Sequence, residues 1–316
     1  MNKINYLKEI NINFNKIKRL TLKINNNFNN DNVIQEIIKN CLETLFSFNN
    51  IENNLIYLDI DFDFKYDEIN NELFGNINNF KSLRYLYIKN LKFNKDFIIE
   101  LNELKLLSIK SCKNLKLSSN FNEKLRELIL RDNKISNLKI LKEVNCIRLS
   151  KLDLCLNEIT DIDILEKVNF KKLKELYLSC NKISSINILE KVNFKNLNIL
   201  NLAFNKISDI NILEKVNFQE LKELDLSYNN ISDINKLGNC NFKNLNKLDL
   251  SGNKISDINI LEKTNFEELS KLNLNGNKIS NIDALGRINF KELKELGLKH
   301  NEISDINILE KLILKN

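Results

Sequence analysis

The residues that this sequence lacks already exclude several kinds of protein. Its 316 residues contain no proline, no tryptophan and one histidine. The absence of proline excludes collagen-like and proline-rich structures, and the single histidine, His300, excludes any mechanism in this chain that needs two imidazoles. No apolar run reaches the roughly 18–20 residues of a membrane helix. The N-terminal segment has no continuous apolar stretch, so we expect no secretory signal.

Paired or clustered cysteines are also missing. The chain has six cysteines, none of them in a CxxC pair and none with a histidine at metal-ligand spacing. They are Cys41, Cys112, Cys146, Cys155, Cys180 and Cys240. Scattered thiols are typical of a reducing compartment. We therefore expect free cysteines, no metal site, no cofactor and a cytoplasmic location, with the nucleus as the alternative.

The sequence contains none of the common catalytic motifs. GxxxxGK[ST], HExxH, GxSxG and GxGxxG do not occur, and only six glycines are present. Serine and aspartate are abundant, but a serine nucleophile would lack a histidine base except near His300, which we interpret as a surface residue. We therefore expect neither an enzyme nor a small-molecule substrate.

What the sequence does contain is a repeat of 24 residues. Eight consecutive segments share the pattern LxxLxLxxNxI followed by xxIxxLxxxxF, and each begins 24 residues after the previous one. They begin at Leu125, Leu149, Leu173, Leu197, Leu221, Leu245, Leu269 and Leu293. Weaker copies at irregular spacing precede them, beginning at Ile17, Leu55, Leu83 and Leu104. A fixed period of this length is typical of a solenoid.

This pattern resembles the leucine-rich repeat family over about residues 14–312. Its NxIxxIxxL continuation is similar to the short repeats of the protein phosphatase 1 regulatory subunit and of the bacterial internalins. The resemblance implies an α/β fold, a leucine-rich repeat solenoid curved like a horseshoe. Its parallel β-sheet would line the concave face, and short α or 3-10 segments would lie on the convex face.

The residues predict the same architecture without the resemblance, because apolar positions alternate within LxLxx as in a strand. A strand of about three to five residues cannot bury one face alone, whereas stacked copies form a continuous core. The inward side chains are predicted to be the leucine pairs from Leu128 and Leu130 to Leu296 and Leu298. A phenylalanine spine should accompany them, formed by Phe14, Phe80, Phe170, Phe194, Phe218, Phe242, Phe266 and Phe290.

An asparagine follows each regular strand at a fixed position. Its amide can both donate and accept, so a stacked ladder of asparagines would satisfy backbone groups that are otherwise buried and unpaired. The ladder positions are Asn133, Asn157, Asn181, Asn205, Asn229, Asn253, Asn277 and Asn301. Cys112 takes this place in the Leu104 copy, whereas Leu91 and Asp63 depart from the pattern.

The segment that returns from each strand carries two more periodic features. Asn187 with Glu190, and the equivalent pairs in other repeats, have capping-box spacing, which predicts a short α or 3-10 turn. An aspartate column precedes them, Asp161, Asp209, Asp233, Asp257 and Asp305, interrupted by Ser185 and Asn281. These carboxylates fit either backbone capping or a bound cation that relieves their mutual repulsion, and capping is the more common role.

We predict one continuous solenoid in two parts. Residues 1–82 would hold the irregular repeats and a cap, with a convex helix at about 31–48 and a second short helix at 67–74. Residues 83–316 would hold the repeat array, which is regular from residue 125. A C-terminal cap is expected at about 309–316; the alternative is an exposed apolar end.

The outward positions of the strands are the candidate binding site. Lys89, Lys110 and Arg131 fall consecutively in one column and form a basic strip beside Tyr85 and Tyr87. Beyond the strip, apolar side chains stand where small polar ones would suffice: Ile129, Leu156, Tyr177, Ile199, Phe204 and Tyr228. Exposed aromatic clusters beside charges are typical of protein interfaces.

These features favour a non-enzymatic scaffold that binds a partner protein on the concave face. The basic strip predicts a partner with an acidic and apolar surface. The resemblance to the phosphatase regulator implies a regulatory role with a phosphatase catalytic subunit as the partner. The resemblance to internalins implies the alternative, a secreted or surface protein that adheres to a host receptor.

Two other hypotheses are weaker. A nucleic-acid-binding surface is motivated by the pI of 8.8, but a net charge of +6 over 316 residues is small. Acidic side chains also interrupt the basic face, at Glu127, Glu175, Glu223 and Glu295. The close similarity of repeats 149–293 leaves a repetitive protein with little selected partner specificity as the last alternative. No membrane partner is expected.

Overall fold

The chain forms two compact units in a computed structural model. The model describes residues 16–24, 40, 43, 51–62, 74–117, 124–142, 146–288 and 291–308. The first unit contains Met1–Lys134 and Ile140–Arg148, and the second contains Ile135–Lys139 and Leu149–Asn316. The division lies inside the regular repeat array, and the predicted parts, residues 1–82 and 83–316, stay a prediction.

Five strands of the first unit are β1 (Arg19–Ile24), β2 (Tyr57–Phe62), β3 (Tyr85–Lys89), β5 (Leu106–Lys110) and β7 (Glu127–Ile129). They pair in parallel, in the order β1-β2-β3-β5-β7, and form the main sheet of this unit. A separate parallel pair is made by β4 (Lys92–Ile99) and β6 (Lys113–Leu117). A short helix, α1 (Ile51–Asn54), precedes β2, and a 3-10 helix (Asn76–Asn79) precedes β3.

The second unit repeats one strand and one 3-10 turn every 24 residues. Its strands are β8 (Lys151–Asp153), β9 (Glu175–Tyr177), β10 (Ile199–Asn201), β11 (Glu223–Asp225), β12 (Lys247–Asp249), β13 (Lys271–Asn273) and β14 (Glu295–Gly297). Consecutive strands pair in parallel and in register. The 3-10 turns are Asp163–Glu166, Asn187–Glu190, Asn211–Glu214, Asn235–Asn239, Asn259–Lys263 and Asp283–Gly286. A similar turn, Leu138–Leu141, lies where the chain divides.

The predicted core is confirmed for most repeats. From Leu128 and Leu130 to Leu272 and Leu274, the inward leucines are at most 2% exposed. The described phenylalanines of the spine are buried as well: Phe80, Phe170, Phe194, Phe218, Phe242 and Phe266. Phe14 and Phe290 lie outside the described residues. Each strand buries its leucines against the repeats on both sides, which is how a strand of three residues becomes stable.

The last described strand departs from this pattern. Leu296 and Leu298, predicted to point into the core, are only half-buried. They lie on or beside β14, and in the described part of the chain no further repeat packs against that strand. The predicted cap at 309–316, which would lie beyond it, is outside the described residues.

The asparagine ladder ties each turn to the repeat before it. The Nδ2 of Asn229 donates to the carbonyls of Leu226 and Ser227 in its own turn, both at 3.1 Å. The same nitrogen donates to the carbonyl of Leu202, one repeat earlier, at 3.0 Å. Its Oδ1 accepts the N–H of Ile207 at 2.9 Å. Backbone groups that are buried without hydrogen-bond partners destabilise the fold. One asparagine side chain supplies partners to backbone groups of two adjacent repeats.

The same set of bonds recurs along the second unit, at Asn181, Asn205, Asn253, Asn277 and Asn301. Cys112 occupies the ladder position in the first unit, where its thiol donates to the carbonyl of Lys110 at 3.3 Å. Its N–H donates to Asn133 Oδ1 at 2.8 Å. Leu91 is buried at the preceding ladder position, and Asp63 lies outside the described residues.

The return segments form 3-10 turns, one of the two predicted types of turn. The predicted capping box is not formed. The turn begins at Asn187, its N-cap is Ile186, and no side chain makes a capping hydrogen bond there. The aspartate column caps these turns instead, by accepting backbone N–H groups at the start of each turn. Asp209 Oδ1 accepts the N–H of Asn211 at 2.8 Å, which closes a turn of the Asx type.

The same bond is made by the other column members, Asp161, Asp233, Asp257 and Asp305, and by Asn281. This confirms backbone capping as the role of the column. Among the described residues, no group of three or more histidine, cysteine, aspartate or glutamate side chains could hold a metal ion.

The predicted N-terminal helices fall mostly outside the described residues. Within 31–48, only Asn40 and Glu43 are described, and both are helical. Within 67–74, only Phe74 is described; it too is helical.

Replacing Asn229 with alanine leaves the N–H of Ile207 unpaired and removes one of the two hydrogen bonds to each of three carbonyls, those of Leu202, Leu226 and Ser227. A buried donor left unsatisfied costs about 1–3 kcal/mol and a lost hydrogen bond about 0.5–1.5 kcal/mol, so we expect the free energy of unfolding of the full chain to fall by about 2–4 kcal/mol in urea denaturation. Asn230→Ala is the control, because Asn230 Oδ1 only accepts from the exposed Lys254 Nζ. We expect that change to cost less than about 0.5 kcal/mol; equal losses in the two variants would contradict the role of the ladder.

Candidate functional site

The predicted site residues belong to two separate groups, one in each unit. The first unit contains Tyr85, Tyr87, Lys89, Lys110, Ile129 and Arg131. The second contains Leu156, Tyr177, Ile199, Phe204 and Tyr228.

In the first unit, strand alternation brings the predicted residues together on the outward face of the sheet. Tyr85, Tyr87 and Lys89 occupy the outward positions of β3, between the buried Leu86 and Ile88. Lys89 lies directly opposite Lys110 on β5. The tyrosines and two members of the predicted basic strip therefore share one surface.

This cluster includes two residues that the sequence interpretation missed. The Tyr57 ring on β2 packs against those of Tyr85 and Tyr87, with centroid distances of 6.4 and 5.2 Å. The guanidinium carbon of Arg19 lies 4.0 Å from the centroid of Tyr57. A signal was available in the sequence. Both residues stand at the outward position just before an inward leucine, as Tyr85 does.

The basic strip of the first unit is partly neutralised. Lys89 Nζ lies 3.3 Å from Asp61 Oδ2, and Asn90 Nδ2 donates to the other oxygen of that carboxylate at 3.2 Å. Lys110 is exposed and Arg131 is half-buried. Asp61 therefore reduces the attraction of this face for an acidic partner.

The tyrosine cluster also holds a carboxylate in an unusual setting. Asp59 Oδ1 is buried and has no hydrogen-bond partner within the described parts of the chain. Burial is the main factor that raises the pKa of Tyr87, and the nearby Tyr57, Glu127 and Asp59 raise it further. The Tyr87 hydroxyl therefore stays protonated and neutral near pH 7.

In the second unit, the residue before each ladder asparagine adopts the left-handed conformation, with φ between 51° and 65°. We call these positions the left-handed column: Leu156, Cys180, Phe204, Tyr228, Gly252, Gly276 and His300. From Leu156 to Gly276, the N–H at these positions donates to the next repeat, as from Phe204 to the carbonyl of Ser227 at 2.9 Å. The backbone of the column is therefore tied to the following repeat.

Bulky residues in this conformation are strained. A residue with a Cβ pays about 1–2 kcal/mol to adopt it, and Gly252 and Gly276 show the residue type that the turn accommodates most easily. Leu156, Phe204 and Tyr228 are nevertheless 42%, 51% and 53% exposed, so burial in the core does not repay the cost. These three exposed apolar side chains therefore occupy strained positions without being buried in the core.

Two of these residues form an aromatic pair. The rings of Phe204 and Tyr228 are stacked, with centroids 4.2 Å apart and planes inclined by 8°. Gly252 makes room for this arrangement, since a Cβ there would lie 2.7 Å from Tyr228 Cδ1. The stack and the glycine hold both rings in place on the surface.

The remaining apolar residues of the predicted site are half-buried: Ile129, Tyr177 and Ile199. They lie within strands, where neighbours about 5 Å away on both sides cover an outward side chain. The Tyr177 hydroxyl donates to Glu175 Oε2 at 3.1 Å, and Lys151 Nζ lies 5.1 Å from the ring centroid. Burial and the neighbouring Glu175 raise the pKa of Tyr177. Exposure is therefore concentrated in the left-handed column rather than in the strands.

Carboxylates lie on the strands beside the aromatic pair. Asp225 Oδ1 accepts the N–H and the hydroxyl of Ser227 at 3.0 and 2.7 Å. Asp225 Oδ2 accepts from Asn201 Nδ2 at 3.2 Å. Asp249 makes the equivalent bonds one repeat later, and Glu223 is exposed at the start of β11.

The described cysteines are free, and Cys112, Cys146, Cys155 and Cys240 are buried. Burial raises the pKa of each of these four thiols to about 12, so they stay protonated and unreactive at neutral pH. Cys180 is the half-buried one and lies in the left-handed column between Leu156 and Phe204. Among the described helices, none has the length and apolar character needed to cross a membrane.

Family models match three segments of the regular repeats. The model for leucine-rich repeats in two copies matches residues 171–215 and 219–263, and a model for a single leucine-rich repeat matches residues 121–138. No curated protein matches the sequence.

Solved structures extend the likeness over nearly the whole chain. An internalin (inlF) from Listeria monocytogenes has a TM-score of 0.67 and 23% identity, covering 98% of this chain and 91% of that one. A leucine-rich repeat protein of Leptospira interrogans has a TM-score of 0.54 and 20% identity, covering 94% and 82%. An octameric complex of Latrophilin 3, Unc5D and FLRT2, with leucine-rich repeats in FLRT2, matches with a TM-score of 0.64 and 19% identity, covering 82% and 79%. At these identities the likeness shows a shared fold.

Two phenylalanines fourteen residues apart should respond differently to truncation. Phe218→Ala removes a buried ring of the spine and should lower the free energy of unfolding by about 3–5 kcal/mol. Phe204→Ala removes only an exposed ring and its stacking on Tyr228, worth about 0.5–1.5 kcal/mol. Urea denaturation of the two variants measures the difference. A loss above about 3 kcal/mol for Phe204→Ala would show that this ring serves stability.

Proposed function

We propose that this leucine-rich repeat protein is a non-enzymatic scaffold that binds a partner protein through the outward face of its sheets and the adjoining left-handed column. One observation carries the proposal: Leu156, Phe204 and Tyr228 are exposed apolar side chains on a strained backbone, outside the core. Rigid aromatic groups that stand in water are the usual anchors of protein interfaces.

The comparisons support a protein as the partner. In the complex of Latrophilin 3, Unc5D and FLRT2, the repeats belong to a protein assembled with other proteins. The same stacked architecture in this chain presents outward positions that can vary without disturbing the core, because the buried leucines and the asparagine ladder carry the stability. Binding specificity can therefore differ between proteins that share the fold.

A regulatory role in the cytoplasm is the finer form of this proposal. Its supports are the NxIxxIxxL pattern, which resembles that of the phosphatase regulator, and the free thiols, which a reducing compartment favours. A phosphatase catalytic subunit is then the class of partner to expect. The second candidate is an adhesion role of the internalin kind, and the identity of the captured partner distinguishes the two.

Capture of partners from the native cell tests the proposal. The intact chain is used as bait beside a variant with Tyr177→Ser, Phe204→Ser and Tyr228→Ser. We expect the variant to bind the partner at least about 10-fold more weakly, a loss of about 1.4 kcal/mol, because interface aromatics supply most of the binding energy. A phosphatase subunit among the captured proteins supports the regulatory form, and a surface receptor supports the adhesion form.

The matched control carries Lys171→Ser, Lys195→Ser and Lys243→Ser, three exposed positions in the segments that lead into β9, β10 and β12. This variant should capture the partner as the wild type does. Undiminished capture by the aromatic variant would discard the proposed face.

A further inference from the structure

We propose that the aromatic pair and the carboxylates beside it bind a basic segment of the partner protein, in which an arginine or lysine adjoins an aliphatic or aromatic side chain. This inference rests on the proposed function and adds the chemistry of the partner. It concerns the second unit alone.

The apolar half of this surface is the pair of stacked rings. Because each ring covers one face of the other at 4.2 Å, the pair presents ring edges and one outer ring surface to the solvent. The Tyr228 ring packs over Gly252, and at Gly276, the next position of the column, no side chain prevents a partner chain from approaching the backbone. Apolar side chains and the methylene stems of long cations are suited to such a surface.

The polar half is acidic. The outward positions of strands β10–β12 carry three carboxylates, Glu223, Asp225 and Asp249, and one cation, Lys247. Parallel pairing places Asp225 directly opposite Asp249, and neighbouring strands lie about 5 Å apart. Two carboxylates this close repel each other, and a cation brought by the partner would relieve that repulsion.

Hydrogen bonds hold both carboxylates in place. Asp225 accepts from Ser227 and from Asn201 on the preceding strand, and Asp249 accepts from Ser251 and from Asn273 on the following strand. These donors are neutral, so the negative charge of both aspartates remains. Each carboxylate oxygen can accept more than one hydrogen bond, which leaves room for a guanidinium or ammonium donor.

Lysines lie on the other side of the column. Lys182 Nζ pairs with Glu158 Oε2 at 3.0 Å, whereas Lys254 Nζ donates to the neutral Asn230 Oδ1 at 2.8 Å and keeps its charge. Lys206, two residues after Phe204, is exposed and stands apart from the strand carboxylates along the chain. A bound segment therefore contacts the strand carboxylates on the sheet side of the rings, and its arginine or lysine is expected to lie on that side.

This partner chemistry differs from the expectation drawn from the basic strip. Lys89, Lys110 and Arg131 predicted an acidic partner, but they lie in the first unit, where Asp61 neutralises one of them. The exposed aromatic residues lie in the second unit, where the outward strand positions around them are predominantly acidic. The charge beside the anchors decides the orientation of the bound segment.

A displayed library of random twelve-residue peptides, panned against the full chain, tests the inference. We expect the enriched peptides to contain arginine or lysine next to an aromatic or aliphatic residue. Their affinity should fall at least about 10-fold for the Phe204→Ser, Tyr228→Ser variant, and about 3- to 10-fold for Glu223→Gln, which removes one charge. Lys206→Gln is the matched control and should bind the peptides as tightly as the wild type or more tightly.

The outcomes separate this inference from the proposed function. Acidic peptides that require Phe204 and Tyr228 would overturn the basic partner and leave the scaffold function standing. Basic peptides that bind the Phe204→Ser, Tyr228→Ser variant unchanged would overturn the location. No enrichment at all would also overturn the inference, whereas the scaffold function is judged independently by partner capture. Protection of Cys180 from alkylation by the enriched peptides would support the location by a second readout.

Discussion

The fold depends on one side-chain amide in each repeat. An asparagine such as Asn229 binds three carbonyls and one N–H, and these groups come from its own turn and from the previous one. Without it, a strand of three residues would end in a turn whose backbone groups are buried and unpaired. The leucines supply the apolar contact area, but the asparagine fixes how one repeat is placed on the next.

Because the inside of each repeat is so strongly determined, recognition is left to positions that the core does not use. In this chain, we propose that those positions are the outward strand residues and the left-handed column. The left-handed backbone is needed for the chain to enter the asparagine turn, and glycine would satisfy it, as at Gly252. A leucine, a phenylalanine and a tyrosine at equivalent positions destabilise the folded chain relative to glycine, and we propose that they are present because they contact a partner.

Four features could be predicted from the sequence: the repeat, the buried leucines, the phenylalanine spine and the asparagine ladder. They follow from periodicity and from the need to pair buried polar groups. The sequence did not reveal the left-handed conformation of Phe204 and Tyr228 or their stacking, since glycine marks the equivalent position in only two repeats, at Gly252 and Gly276. The capping box failed because Asn187 and Glu190 have the right spacing but begin one residue too late. Tyr57 and Arg19 were missed because the irregular early repeats hide which column they join.

Amide hydrogen exchange, measured residue by residue on the intact chain, tests most directly whether the asparagine ladder holds the repeats together. The N–H groups of Ile183, Ile207 and Ile231 donate to a ladder asparagine side chain and to no backbone carbonyl. We predict that they exchange as slowly as the N–H of Leu202, which donates to the carbonyl of Asp225 in the neighbouring repeat. Exchange of these three amides at the rate of unprotected surface turns, while Leu202 stays protected, would contradict the account.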